Sequence, residues 1–250
     1  MIEYKFIYKG EIDSTNLEAG RLAGELPHGA VIVADSQSAG RGRRGRTWVS
    51  RPGENIYFSL LLKPDFVPEQ ASMLTLIMAL AVAQGIEAVY SCKTEIKWPN
   101  DIVVHGKKVC GILTEMQAVP GAIKHVVVGV GINVNQTTFG EAGLSYASSL
   151  QKETGLVKDR EVLLEAVLQQ FEQWYSVFCE AGSLQPVLAA YHARLANLQK
   201  EVQVLDPKGA YRGVALGIND KGELIVRKGD GTQVAVYAGE VSVRGLFGYV

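Results

Sequence analysis

Cysteine is scarce in this chain of 250 residues: Cys92, Cys110 and Cys179, an odd number at wide spacing with no CxxC pair. That argues against a disulfide framework or a zinc cluster and suits a reducing compartment. Neither sign of charge is in excess. Lys and Arg number 25 against 26 Asp and Glu, for a net charge of −1. Nothing global attracts nucleic acid or an anionic membrane, so any basic site must be local. Long apolar runs are missing as well. The most apolar stretch, residues 73–83, is too short to cross a bilayer, continues into Gln84 and Glu87, and reads as a buried helix. The N-terminal MIEYKFIYKGEIDSTN alternates apolar and polar residues, with no apolar core before a cleavage site, so no signal peptide is visible. Repeats and low-complexity tracts are absent. A cytoplasmic protein without membrane or DNA partners is expected.

What is present is the patterning of an α+β chain. Strand patterns cover residues 2–8, 30–34, 55–62, 95–98, 101–104, 109–116 and 125–135. Thr15 and Glu18 have the spacing of a capping box that opens a short helix. An Ala/Leu-rich helix is expected over 68–89. Asp159 caps another, with Leu163, Leu164, Val167, Leu168, Phe171, Trp174 and Phe178 at helical spacing. A further helix starts at Ser183 with Pro186 in its first turn. HGKK at 105–108 reads as a hairpin turn. Strands that follow one another directly favour a mixed α+β sheet over a doubly wound one. Beyond Gln199 helix signals stop, and short strands are punctuated by DPKG at 206–209, NDKG at 219–222 and GDG at 229–231. A main domain over 1–199 and a small SH3-like β-barrel over 200–250 are expected. The composition break predicts that the second is autonomous, so that deleting it weakens function without unfolding the rest.

Four segments carry chemistry. Residues 40–48, GRGRRGRTW, place four arginines within six residues among three glycines. Glycine permits close backbone approach, and arginine forks match carboxylate and phosphate oxygens. On charge alone, a solvated surface loop or a nucleic-acid contact is the lesser alternative. Gly40–Thr47 also approximates a P-loop, but Pro52, Gly53 and a strand follow where that motif requires a helix. KWPND at 97–101 sets a lysine, a proline turn, an amide and a carboxylate at a strand end, or else is an ordinary turn over a core Trp98. GKKVCG at 106–111 is a turn feeding a buried strand, whose lysines are solvated on the ordinary reading. VVVGVGINVN at 126–135 has glycines at 129 and 131 that thin a central strand, for a ligand or for packing.

Taken together, GRGRRGRTW, KWPND, GKKVCGIL and GVGIN, in this order and spacing, resemble the biotin–protein ligases. The resemblance covers residues 10–135 by motif and the whole chain by domain order. It implies a catalytic mixed sheet with helices, related to class II aminoacyl-tRNA synthetases, plus an SH3-like domain. It also implies ATP-dependent formation of biotinyl-5'-AMP and transfer of biotin to a lysine of a biotin carboxyl carrier protein, with Mg²⁺ accompanying ATP. Ser14, Thr15, Asn16 and Gln37 look like the contacts to biotin's ring. Gly40, Arg41, Gly42 and Arg43 look like the segment that closes over the carboxylate and adenylate phosphate. By the same resemblance Lys108 serves both ligands as the main catalytic cation. Arg43 assists, and Asp101 orients the incoming lysine amine. Arg44, Arg46, Trp48 and Asn100 resemble nucleotide contacts, the Trp48 indole offering a stacking surface, and Asn133 resembles a further nucleotide or metal contact. No resident metal site is expected. With 13 residues ahead of Ser14, the chain resembles the form without an N-terminal winged-helix domain; a homodimer is compatible with it. Two rivals differ in their signals. A lipoate–protein ligase of the same fold is expected to show a different glycine-rich signature and no KWPND. A nucleic-acid module is expected to be basic with an aromatic stacking row.

Overall fold

The computed structural model describes residues 1–139, 146–206, 209–238, 242–245 and 249; for Ser242 and Arg244 it describes the backbone alone. In chain order the elements are β1 (Lys5–Ile12), α1 (Thr15–Arg21), β2 (Ala30–Gln37), β3 (Ile56–Leu62), α2 (Met73–Tyr90), β4 (Glu95–Lys97), β5 (Asp101–Val104), β6 (Lys107–Val119) and β7 (Ala122–Ile132). They continue with α3 (Leu150–Thr154), α4 (Arg160–Ala181), α5 (Leu188–His192), β8 (Glu201–Leu205), β9 (Tyr211–Ile218), β10 (Leu224–Lys228), β11 (Gln233–Val236) and β12 (Ser242–Gly245). The first seven strands form one mixed sheet in the order β1-β2-β3-β7-β6-β5-β4, and β8–β12 form an antiparallel sheet. Only β1 and β2 are parallel, joined across α1; the other neighbours in the large sheet are antiparallel. This is the expected α+β architecture.

The two faces of the large sheet have different fates. Val126, Val128, Val130 and Ile132 of β7 enter the main core with α2 and α4, while Val127 packs with Ala19, Ala23 and Leu61 beneath α1. Gly129 and Gly131 share the face of Val127 by strand alternation, which leaves that side of the sheet without side chains beyond α1. β3 is buried along its whole length, and its one polar side chain, Ser59, donates to Asn16 Oδ1 at 2.6 Å. The helical stretch Pro68–Tyr90 exceeds the apolar 73–83 segment of the sequence; its length and apolarity match a membrane span, yet most of it lies inside the fold. It begins with a 3₁₀ turn at Pro68–Gln70 before α2.

Several local expectations shift. β1 runs over Lys5–Ile12 rather than 2–8, because its register against β2 continues to Ile12–Gln37. The N-cap of α1 is Ser14, without a side-chain capping bond. Thr15 donates its hydroxyl to Gln37 Oε1 at 3.2 Å, and Glu18 pairs with Arg21 and Lys9. At 105–108, Lys107 and Lys108 already belong to β6, and only His105 and Gly106 form the turn. The segment after Ser183 is a 3₁₀ turn at Gln185–Val187, holding Pro186, followed by α5. β7 ends at Ile132, short of Asn135. Residues 207 and 208 of the DPKG turn lie outside the described residues. The two sheets also share one apolar core, in which Val202, Val204 and Leu224 pack with Leu76, Leu184 and Trp98. Trp98 Nε1 donates to the Gly222 carbonyl at 3.0 Å. The expectation of a self-contained second unit therefore meets a continuous interior.

Candidate active site

The bare glycine face of the sheet floors a cavity of about 790 Å³. Its walls come from the start of α1, the 41–51 loop, the β4–β5 turn, the β6 start, residues 133–139 with 146 and 147, and Val243 and Tyr249 of the C-terminal unit. Among the described residues seven cationic side chains line it, Arg41, Arg43, Arg44, Arg46, Arg51, Lys97 and Lys108, against one carboxylate, Asp101. In a chain of net charge −1 that concentration marks a site for a polyanion.

At one end Asn16 is fixed on three sides. Its Nδ2 donates to Glu115 Oε2 at 2.8 Å and to the Leu113 carbonyl at 3.2 Å, and Ser59 Oγ donates to its Oδ1 at 2.6 Å. Because Glu115 only accepts when ionised, the amide orientation is set. Beside it the Thr15 N–H donates to Gln37 Oε1 at 2.9 Å, and Gln37 Nε2 donates to Ser50 Oγ at 3.3 Å. Ser14, Thr15 and Asn16 are all buried. They form a rigid polar wall.

The arginine loop is a closed turn. Gly42 N–H donates to the Arg46 carbonyl at 2.7 Å, and Trp48 N–H donates to the Gly40 carbonyl at 2.9 Å. Arg44 adopts the left-handed conformation at φ 59° within the 3₁₀ turn Arg43–Gly45. Arg41 reaches Glu115 at 3.0 Å. Arg43 donates to Asn100 Oδ1 at 3.0 Å and to the Ala238 carbonyl of the C-terminal unit. Burial lowers the pKa of Arg43, an effect countered in part by the charge of Asp101. Trp48 covers the glycine floor, since a Cβ on Gly131 would stand 2.6 Å from its indole and one on Gly111 2.7 Å. Its buried Nε1 has no hydrogen-bond partner among the described residues.

Lys108 and Asp101 stand on neighbouring strands and form an ion pair at 2.6 Å. Lys108 Nζ also lies 5.4 Å from the centroid of the Trp48 ring. The second carboxylate oxygen of Asp101 accepts a hydrogen bond from the Tyr249 hydroxyl. Burial, then the charge of Asp101, raises the pKa of that phenol. Asn133 Nδ2 donates to the Ser148 carbonyl at 2.9 Å, which fastens residues 146–149 to the end of β7.

Fourteen of the residues singled out from sequence therefore line one cavity: Ser14, Thr15, Asn16, Gln37, Arg41, Gly42, Arg43, Arg44, Arg46, Trp48, Asn100, Asp101, Lys108 and Asn133. Gly40 does not. It sits behind the loop, where a Cβ would meet the Trp48 carbonyl oxygen at 2.4 Å. Asn100 is committed within the protein, its Nδ2 to the Ile112 carbonyl at 3.0 Å and its Oδ1 to Arg43, so it positions that arginine. Sequence reading missed Glu115, Tyr146 and Tyr249. Glu115 follows GKKVCGIL on β6 and could have been found by extending that strand, whereas nothing local marks Tyr249. Among the described residues no cluster of three His, Cys, Asp or Glu side chains could hold a metal.

Comparison with known proteins gives concordant results. Residues 9–133 match the Biotin/lipoate A/B protein ligase family, and residues 198–244 match the Biotin protein ligase C terminal domain. The chain is 38% identical over 240 residues to the Bifunctional ligase/repressor BirA of Bacillus spizizenii, covering 95% of this chain and 73% of that protein. It is 36% identical over 227 residues to the Biotin--[acetyl-CoA-carboxylase] ligase of Paracoccus denitrificans, covering 89% of this chain and 94% of the relative. The solved biotin protein ligase from Aquifex aeolicus in complex with biotin and ATP superposes with a TM-score of 0.84 at 32% identity, covering 96% and 99% of the two chains.

Proposed function

This chain belongs to the biotin/lipoate A/B protein ligase family, and we propose on that premise that its cationic cavity is where biotin and ATP meet. The protein is an ATP-dependent biotin–protein ligase. It joins biotin to AMP with release of pyrophosphate and passes the biotinyl group to a lysine of a biotin carboxyl carrier protein. One observation carries the residue-level reading: Lys108 projects into a cavity that, among the described residues, has seven cations and a single carboxylate.

Two anions, biotin's carboxylate and the α-phosphate, must approach for the first step. A carboxylate oxygen attacks phosphorus and the bond to pyrophosphate breaks. An ammonium beside both groups lowers their repulsion and stabilises charge on the transferring phosphorus. Lys108 has that place, and Arg43, Arg44 and Arg46 supply donors for phosphate oxygens. The wall of Ser14, Thr15, Asn16 and Gln37 suits a ureido ring. Trp48 offers an apolar face and one unpaired N–H. Mg²⁺ would enter on ATP's phosphates, since among the described residues the lining provides only the carboxylate of Asp101, already paired to Lys108. In the second step the carrier's amine attacks the acyl carbon and AMP leaves, with Asp101 orienting the amine. We place the reaction in the cytoplasm, on a carrier domain, without DNA or membrane and compatibly with a homodimer. The domain division at residues 199 and 200 belongs to the same reading.

The test supplies the protein with ATP, a carrier domain and either biotin or lipoate. Pyrophosphate release and a mass increase on the carrier with biotin alone are expected. Equal transfer of lipoate, or none of biotin, would overturn the reading.

A further inference from the structure

Both oxygens of Asp101, the carboxylate that an incoming amine would meet, are already engaged. Lys108 Nζ holds one at 2.6 Å and the Tyr249 hydroxyl holds the other. Tyr249 lies beyond β12 and reaches this carboxylate from the C-terminal unit. Its ring stacks on Tyr146, with centroids 4.6 Å apart and planes within 2°. On Tyr249 too, Lys97 Nζ sits 3.5 Å from the ring centroid. The phenol is thus held by one hydrogen bond, one aromatic face and one cation.

We propose that Tyr249 occupies the acceptor-amine position at Asp101 and shields the acyl-adenylate from water until the carrier lysine displaces it. This rests on the ligase reading above. Of the two groups on Asp101, Lys108 brings a full charge from an adjacent strand, whereas Tyr249 brings a neutral hydroxyl from a different sheet. A lysine ammonium can replace a phenol and gain a charge-assisted bond to the same oxygen. Water cannot make that exchange at equal gain. The acyl-adenylate is a mixed anhydride, and water adding to its acyl carbon expels AMP, giving biotin and AMP with release of a proton. Filling the approach beside Asp101 with a stacked ring keeps that route closed and leaves it open to an amine. Tyr249 is by this account a positioning residue that selects lysine over water.

The experiment uses the full chain with biotinyl-adenylate formed in place and freed of ATP and pyrophosphate. Decay to biotin and AMP is followed without carrier, and single-turnover transfer is followed with a carrier domain. Tyr249→Phe keeps the ring and loses only the hydroxyl; Tyr249→Ala loses both. Carrier-independent decay should rise about tenfold in Tyr249→Phe, as expected for losing a hydrogen bond to a charged group, and by more in Tyr249→Ala. The ratio of transfer to decay should fall in both. Decay at the wild-type rate in both variants overturns the proposal, as does slower transfer with unchanged decay. Absence of adenylate in the wild-type chain would instead refute the ligase reading, so the two failures are distinguishable.

Discussion

The carboxamide of Asn16 and the α-carbon of Gly129 share one small space, where a Cβ at residue 129 would stand 1.9 Å from Asn16 Oδ1. The glycine in the central strand is therefore a packing requirement of the ligand wall. Gly129→Ala is expected to push Asn16 off Ser59 and Glu115, with an overpacking cost of about 1–3 kcal/mol. Titration calorimetry should show biotin affinity falling by about tenfold or more, since that follows from losing ~1.4 kcal/mol of aligned contacts. Unchanged affinity would remove Asn16 from the wall's function.

Lys108→Ala is expected to lower adenylate formation by about 10²–10³-fold, the range for losing one preorganised electrostatic contact. Biotin binding should change far less. Burst-phase pyrophosphate release measures the first and calorimetry the second. Release at a near-normal rate would refute the role.

Asp101→Ala removes the carboxylate that both Lys108 and Tyr249 hold. Adenylate should still form, while transfer from preformed adenylate slows by about 10²-fold or more, as for loss of a positioned acid–base group. Unchanged single-turnover transfer would sink the assignment.

Glu115 supplies the counter-charge that residues 40–47 lack in sequence, through Arg41 at 3.0 Å. Both side chains are partly exposed, so the pair contributes only about 0–1 kcal/mol. The loop is thus fastened weakly at one end and more firmly at Arg43. Glu115→Gln is expected to speed amide hydrogen exchange across residues 40–47 without ligand, and biotin with ATP should restore protection. Equal protection in the variant and the wild type would mean that Glu115 does not hold the loop.

Removing residues 201–250 would uncover Trp98, Leu76 and Leu184, which belong to the shared core. The truncated chain is expected to melt well below the full chain or to aggregate. Calorimetry that shows an unchanged Tm would restore the idea of an independent unit.

Local pattern determined much of this protein. The buried helix around 73–83, the strand alternation of β7 and the Asp159 cap are all decided by neighbours within a few residues. The same holds for the arginine loop, KWPND and GKKVCGIL, whose spacing marked the cavity wall before any geometry. Only the tertiary structure decided which groups meet. Asp101 and Lys108 are seven positions apart in sequence, but strand pairing makes them an ion pair. Arg41 finds Glu115 across 74 residues, and Tyr249 finds Asp101 across 148. Charge and hydrogen-bond complementarity act through space once the sheet has brought strands together, and no periodicity in the chain encodes such pairings. For the same reason the shared core was not legible: a break in composition marks where strands replace helices, whereas burial is set by what their faces cover.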